Sequence, residues 1–536
     1  MELKDVELCC CAVEVSETGS TTRPLCCSGV LLHPRTGMII CTGLPFARFL
    51  TEKETFSSEP DFLLPRSFSD KLQIRVSLCS SSWQQQQVSA ELLMLVNCVE
   101  FKRAFLEAFQ QTDRWRFHGN EEEDDDGELV RDAQFLSWFA VLKAVLGPPP
   151  TLGPGQQTRL SPTIGGRGHD TSADPEMIHW QSSSSLQKGR PVVACGSPFG
   201  SLCLDLFIST LSTGIISNLA GDDNAVILTD ARCLPGTEGG GLFVVNGTEG
   251  VRLVGLIVSP FGWKANEWIG LSLVCSFHLI FRNVKRCTSA KDLPCDVWLQ
   301  NGEPDLHMTV THEPNAAEYP TVCHVNSGQV WGSGVFVSRK LVVTCRHVVN
   351  SKSKVTVKFH HKDRVHDLDG DVLFSTKESA PYDLAFVQLR VPVPEAVLPR
   401  MAQSFKPGEA VVVVGYGGLG KTLGPSLTCG VLSKAISLNN QPVMLQTSCA
   451  VQAGTSGGAV VHKHTGELLG IVSSNTRDLA ARVTYPHLNF SIPVTVFQRL
   501  LRKFHQTKDV NVFKVLNATE KEVARVWRLQ GTQSKL

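Results

Sequence analysis

The chain has 536 residues, a formal net charge of zero and 44 glycines scattered among many short apolar runs. That length exceeds what one hydrophobic core serves, so two or more domains are expected. The balanced charge argues against a nucleic acid as the main partner, and no window holds eighteen uninterrupted apolar residues, so no membrane span is expected.

Short apolar runs separated by turn residues read as an all-β chain. The N-terminus, Met1 to Cys11, carries acids and lacks the apolar centre of a secretory signal. The eighteen cysteines, including Cys9, Cys10, Cys11, Cys26 and Cys27, are therefore expected as reduced thiols. The sequons at Asn246, Asn489 and Asn517 are then chance matches. No paired Cys-x-x-Cys spacing points to zinc, and neither metal nor cofactor is expected.

Residues 1–290 form the front half. Residues 90–108 are a candidate helix inside an insertion spanning about 85–185. The insertion also holds an acidic run from Asn120 to Glu128, expected as a solvated loop, and a Pro/Gly/Ser/Thr-rich stretch from Gly147 to Asp174, expected as flexible. Residues 291–320, with Pro294 and Pro304, read as a linker, 321–505 as the rear half, and 506–536 as an extension. Within this tail, Lys508 to Lys521 reads as a short helix or an extension, and Val523 to Leu529 as a candidate strand. The chain closes on Ser534-Lys535-Leu536 after a polar Gly531-Thr-Gln stretch, a tripeptide that the peroxisomal import receptor reads, which implies the peroxisomal matrix.

The rear half carries the chemistry. Gly454-Thr455-Ser456-Gly457-Gly458 sets a serine among glycines, with a β-branched run after it. Glycines let the chain turn tightly and let a substrate approach, and the N–H groups of Gly454 and Ser456 are placed to form an oxyanion hole. By itself the pentapeptide reads equally as a glycine-rich turn between strands. A serine needs a base, and His347 closes the apolar run Leu341, Val342, Val343. Asp383 opens another apolar strand after a proline turn at Pro381. In this order His347 takes the Ser456 proton, and Asp383 fixes the ring tautomer and stabilises the imidazolium. His360, His361, His366, His462 and His464 lie in polar, turn-like stretches and read as solvated residues. Asp363, Asp367, Asp369 and Asp371 are rival acids in what reads as a charged hairpin.

Residues 328–500 resemble the trypsin-like serine proteases of the HtrA/Deg type. The carrying motifs are Gly332-Ser-Gly-Val, Val343-Thr-Cys-Arg-His347, Tyr382-Asp383-Leu-Ala, Gly454-Thr-Ser456-Gly-Gly and Asn489-Phe-Ser-Ile-Pro493. The resemblance implies chymotrypsin-like double β-barrel domains and a serine endopeptidase. It also implies a primary pocket based on Ala450, six residues before Ser456, and walled by Ser473, Ser474 and Asn475. Such an uncharged lining should accept a small uncharged side chain such as Cys, Ser or Ala. Thr455 stands where digestive relatives carry an acid that pairs with a freed N-terminus, so activation by N-terminal cleavage is not expected.

The front half repeats the rear. Ser28-Gly-Val-Leu-Leu parallels Ser333-Gly-Val-Phe-Val, and Val192 to Gly196 parallels Val412 to Gly415. Ser212-Thr-Gly214 parallels Thr428-Cys-Gly430, and Leu253 to Ser259 parallels Leu468 to Ser473. The later blocks keep an offset of about 218 residues, which sets Glu238 where Ser456 stands. Leu44 or a neighbour falls at the His347 position, and the Asp383 counterpart falls near Trp138. The front half is thus expected to keep the fold, as the first of two tandem double-barrel domains, without the catalytic groups. An ordered run of matching blocks argues against shared turn chemistry alone.

With its inactive front, active rear and Ser-Lys-Leu end, the whole chain resembles the peroxisomal and glyoxysomal processing proteases. That resemblance implies removal of N-terminal presequences from thiolase-type precursors and cleavage of fatty-acid β-oxidation enzymes, often after a cysteine. It also implies self-cleavage, for which the Cys79–Ser80 bond in a polar stretch is a candidate. Protein substrates, the import receptor through Ser534 to Leu536, and further copies of the chain are the expected partners. A chaperone or scaffold of the HtrA kind, with weak or no proteolysis, is the alternative.

Overall fold

A computed structural model of the chain describes residues 3–19, 23–51, 60–79, 85–109, 115–117, 135–145, 178–200, 202, 204–246, 250–260, 262–264, 267–289, 318–361, 364–478, 483–518, 520–527 and 533–534. The segments expected as the acidic loop, the Pro/Gly-rich stretch and most of the linker lie outside them.

Strands dominate, in four six-stranded barrels. The first contains β1 (Cys10–Glu17), β2 (Leu25–His33), β3 (Met38–Thr42), β4 (Leu72–Cys79), β5 (Gln85–Asn97) and β6 (Trp138–Ala144), closed through β5 and β6. The second contains β7 (Pro191–Gly196), β8 (Thr210–Ala220), β9 (Val226–Thr229), β10 (Gly241–Asn246), β11 (Gly250–Ser259) and β12 (Ser272–Ser276). In the rear half, β13 (Val322–Asn326), β14 (Trp331–Ser338), β15 (Leu341–Thr344), β16 (Lys354–His361), β17 (Arg364–Ser375) and β18 (Ala385–Leu389) close the third barrel. The fourth contains β19 (Ala410–Gly415), β20 (Ser426–Leu438), β21 (Gln441–Thr447), β22 (Ala459–His462), β23 (Leu468–Asp478) and β24 (Val483–Pro493), closed through β22 and β23. Within each half the strands neighbour one another in the same cyclic order.

Residue patterns explain these strands. Val411 to Gly415 in β19 and all of β15 are buried along their length, which suits their unbroken apolar runs. Strand β16 alternates buried and open positions, and β17 is open or half-buried everywhere but Gly370. Among the described residues, closing each sheet on itself pairs most barrel edges, which limits the free edge that could template aggregation.

Three expectations are revised. Of residues 90–108, positions up to Asn97 belong to strand β5 and only Val99–Ala108 is helical. The run Ala90 to Val96 pairs with β6, and that tertiary pairing overrides its helix-forming leucines. Residues 85–97 and 138–144 are therefore barrel strands inside the stretch expected as insertion. Lys521–Trp527 is a helix rather than a strand, with Val523, Ala524 and Trp527 buried on one face. The extension is firmly anchored. Phe513 stacks on Phe386 at 4.2 Å between ring centroids, and Trp527 Nε1 donates to Val443 O at 3.1 Å. Burying one such ring stabilises by about 2–3 kcal/mol.

The halves dock through β8 and β20. Asn218 Nδ2 donates to Ser426 Oγ at 2.9 Å. Buried Asp230 accepts from Ile215 N at 2.7 Å and, across the junction, from Cys429 N at 2.5 Å. Burial pushes its carboxyl up against the pull of those donors. Lys188 Nζ donates to Leu423 O at 3.1 Å and Pro425 O at 2.9 Å, and burial pushes its ammonium down to about 8.

Candidate active site

The register of β15 against β18, with Thr344 opposite Ala385, brings the turn after β15 beside the residue before β18. Residues Arg346–Val349 make one helical turn, ended by Asn350 in the left-handed conformation at φ 47°. Across from it, Thr376 Oγ1 bonds Tyr382 O at 2.8 Å and accepts from Leu384 N at 3.2 Å, which pins both neighbours of Asp383. His347 Nδ1 lies 2.6 Å from Asp383 Oδ2, and His347 N donates to Oδ1 at 3.1 Å. Arg346 Nε stands 3.7 Å from Oδ1. The buried carboxylate thus holds both the ring and the backbone of the histidine. Donating Nδ1–H to a carboxylate leaves the other ring nitrogen as the base. Cys345 shares this corner, with its ligand atom within 4.8 Å of those of His347 and Asp383. Its thiol donates to Val472 O at 3.2 Å, so the group reads as an acid–base pair beside a structural thiol rather than a metal cage.

Ser456 sits at 0 % exposure between Gly454, at φ +89°, and Gly457, at φ +86°. Both are left-handed positions that L side chains rarely adopt, and both are crowded. A Cβ at Gly454 would run into the Trp331 ring, and one at Gly457 into Ser333 O. Within the loop, Thr455 N donates to Gln452 O at 3.0 Å, Gly457 N to Val472 O at 2.8 Å and Gly458 N to Thr455 O at 2.8 Å. The N–H groups of Gly454 and Ser456 have no acceptor among the described residues. Unpaired donors in a loop otherwise fully bonded are what an oxyanion site requires. The Ser456 hydroxyl lies 3.3 Å from Ser473 O.

Ser333 was not singled out by sequence reasoning. Its buried hydroxyl donates to Gly454 O at 2.8 Å and accepts from Tyr416 N at 2.8 Å, and its N–H donates to Ser456 O at 2.7 Å. The signal was present, because both halves carry Ser-Gly-Val at this strand.

The expected pocket residues gather beside this loop. Ala450 is buried, and its carbonyl accepts Thr428 Oγ1 at 2.7 Å. Ser473 and Ser474 are buried on β23, and Asn475 pairs with Asn489 of β24. Asn489 Nδ2 donates to Cys449 O at 2.9 Å and its Oδ1 accepts Thr447 Oγ1 at 2.8 Å, so Asn489 ties β24 to the chain just before Ala450. The front half also reaches here. A Cβ on Gly270, at φ +68°, would stand 3.2 Å from Ala450 Cβ and 3.3 Å from Pro486 Cγ.

Other candidates fall elsewhere. His360, His361 and His366 lie on the β16–β17 strands, not in turns. His360 Nδ1 meets Tyr416 Oη at 3.1 Å, and burial, with the Lys188 charge, pushes its imidazole down, so it is no solvated histidine. His462 ends β22 and accepts from the turn that holds His464. Asp367 pairs with Lys358, and Asp369 and Asp371 with Arg390, as a charged hairpin should. Asp363, Ser80, Lys535 and Leu536 lie outside the described residues. Cys79 ends β4, and Ser534 lies in a two-residue strand, Gln533–Ser534.

The front half repeats the loop and not the pair. Ser28 Oγ donates to Gly236 O at 2.7 Å and accepts from Ser197 N at 2.7 Å, while Ser28 N donates to Glu238 O at 2.8 Å. Gly239 N donates to Ile257 O at 2.7 Å, as Gly457 does to Val472. At the nucleophile position, Glu238 turns its carboxylate back to accept Gly236 N at 2.7 Å. The donor equivalent to Gly454 N–H is therefore consumed. The pairing of Thr42 with Phe139 mirrors that of Thr344 with Ala385, which sets Pro45 at the His347 position and Ser137 at the Asp383 position. A cavity of about 210 Å³, lined by Cys195, Arg232, Cys233, Leu234 and Thr237, lies beside this Glu238 loop, away from Ser456.

Paired six-stranded barrels, with a carboxylate-held histidine and a serine in a glycine loop at their junction, mark the trypsin-like serine endopeptidases. Residues 332–471 match the trypsin-like peptidase domain family. The chain is 36% identical over 570 residues to the peroxisomal leader peptide-processing protease of Homo sapiens, covering 97% of this chain and 95% of that one. The Mus musculus protein of the same name is 35% identical, covering 98% and 96%. The periplasmic serine endoprotease DegP of Escherichia coli strain K12 is 29% identical over 174 residues, covering 32% of this chain and 34% of that one. The chain belongs to the family of peroxisomal leader peptide-processing proteases, and it is a serine endopeptidase of the peroxisome.

Proposed function

We propose that this enzyme removes N-terminal leader segments from proteins imported into the peroxisome, with Ser456 as nucleophile, His347 as base and Asp383 as orienting carboxylate. The supporting observation is the 2.6 Å contact between His347 and buried Asp383, in the barrel junction that also carries the Ser456 loop. In this reading the Ser456 hydroxyl gives up its contact with Ser473 O to reach the imidazole. Loss of its proton to His347 lets Oγ attack the scissile carbonyl, and the N–H groups of Gly454 and Ser456 hold the developing oxyanion. His347 then passes its proton to the leaving amine, and water hydrolyses the acyl-enzyme by the reverse relay.

The uncharged floor and wall, Ala450, Ser473 and Ser474, favour cleavage after small neutral residues such as cysteine. Thiolase-type precursors and fatty-acid β-oxidation enzymes are the proposed substrates. Self-cleavage at Cys79–Ser80, capture by the import receptor through Ser534 to Leu536, and assembly into homo-oligomers belong to the same reading. So does a front half, residues 1–290, that keeps the fold and has lost its catalytic groups. The test is N-terminal sequencing of imported matrix enzymes incubated with the protein and with its Ser456→Ala variant. New N-termini that depend on Ser456 support the proposal; identical termini in both samples refute it.

A further inference from the structure

A short strand outside the barrels lies against the proposed substrate groove. Residues Gln533–Ser534, here β25, add to the outer edge of β23, antiparallel, with Thr476 opposite Gln533 and Asn475 opposite Ser534. The same β23 carries Ser473 and Ser474, and Ser473 O is the acceptor of the Ser456 hydroxyl. β24 holds one edge of β23 along its length, and β22 pairs with the other edge only over Leu468–Ile471, so β25 takes the stretch of that second edge beyond β22. An extended peptide adding to such an edge gains main-chain hydrogen bonds, and alternate side chains gain pockets.

Direction matters. Antiparallel pairing runs the tail from Thr476 towards Ser473, that is, towards the nucleophile. We propose that the segment through Gln533 and Ser534 is an intramolecular ligand of the enzyme's own substrate groove, laid along the edge of β23 that an extended substrate would pair with. This rests on the proposed role of Ser456.

The tether favours it. The helix at Lys521–Trp527 is fixed to β21 through Trp527 Nε1, and only five residues separate Trp527 from Gln533. A fully extended span of that length reaches about 20 Å, and a short tether gives a local concentration of about millimolar. A tail that binds weakly as a free peptide therefore competes effectively with substrate. The tripeptide that the import receptor would read is the same segment, so receptor capture and groove occupancy exclude one another.

The experiment compares the full chain, a chain ending at Gln533, and a Ser534→Pro variant. Proline cannot donate to a ladder, so this variant keeps the length and breaks the pairing. Peptide hydrolysis is measured in each, alongside fluorophosphonate labelling of Ser456. The expected result is a KM lowered about fivefold in both altered chains with kcat unchanged, and competitive inhibition of the truncated enzyme by the free hexapeptide of residues 531–536. Equal KM in all three chains, with normal labelling and no inhibition by the hexapeptide, overturns this inference alone. Failure of all three to label overturns the Ser456 reading together with it.

Discussion

Ser333→Ala is the sharpest test of how the serine loop is held, because the front half supplies its own control. The substitution deletes one hydroxyl that donates to Gly454 O and accepts from Tyr416 N, both at 2.8 Å, in a fully buried position. Two neutral hydrogen bonds contribute about 1 kcal/mol each, and an orphaned buried N–H adds its own desolvation cost, so a loss of about 2–3 kcal/mol is expected. Ser28→Ala deletes the matching pair of bonds to Gly236 O and Ser197 N, at 2.7 Å each, and should cost about the same stability. Catalysis separates the two. Only Ser333 anchors the carbonyl of a residue whose N–H is the proposed oxyanion donor, and losing such a donor outright costs about 10²- to 10³-fold in kcat. Ser333→Ala loosens the donor without removing it, so kcat should fall about tenfold to a hundredfold with KM little changed. Thermal unfolding and steady-state peptide hydrolysis on both variants read this directly. Equal kcat in the two variants, with both destabilised, refutes the positioning argument.

Ser456→Ala and His347→Ala should each abolish nearly all peptidase activity with unchanged melting temperature, and the double variant should lose little more, because the two groups act as a unit. Glu238→Ser should free Gly236 N–H but create no second active site, since Pro45 and Ser137 occupy the positions of base and acid; the assay is hydrolysis by a chain that also carries Ser456→Ala. Gly270→Ala should cost about 1–2 kcal/mol for its positive φ and press on Ala450 from 3.2 Å away. Its kcat/KM should drop more for substrates with large residues before the scissile bond than for small ones, in a peptide library; an unaltered preference would separate the front half from the pocket.

Much of the site was legible in the chain itself. The strand-edge placement of His347, Asp383 and Ser456 and the glycines around Ser456 are local signals. So is the repeat of blocks, because glycine at a left-handed turn and apolar runs in strands leave marks that neighbours do not alter. The helix at Lys521–Trp527 and the strand at Ala90–Asn97 were not legible, since both take their form from what they pack against. Tertiary structure alone decided three further points. It gave Ser333 the carbonyl of Gly454, 121 residues away. It set Gly270 from the other half against Ala450, and it laid Gln533–Ser534 along β23. Each depends on strand register and barrel closure, which bring together segments that share no local pattern. The sequence determined which chemical groups the chain carries and the turns that can present them; only the closed barrels decided which of those groups meet, and which donors stay unpaired.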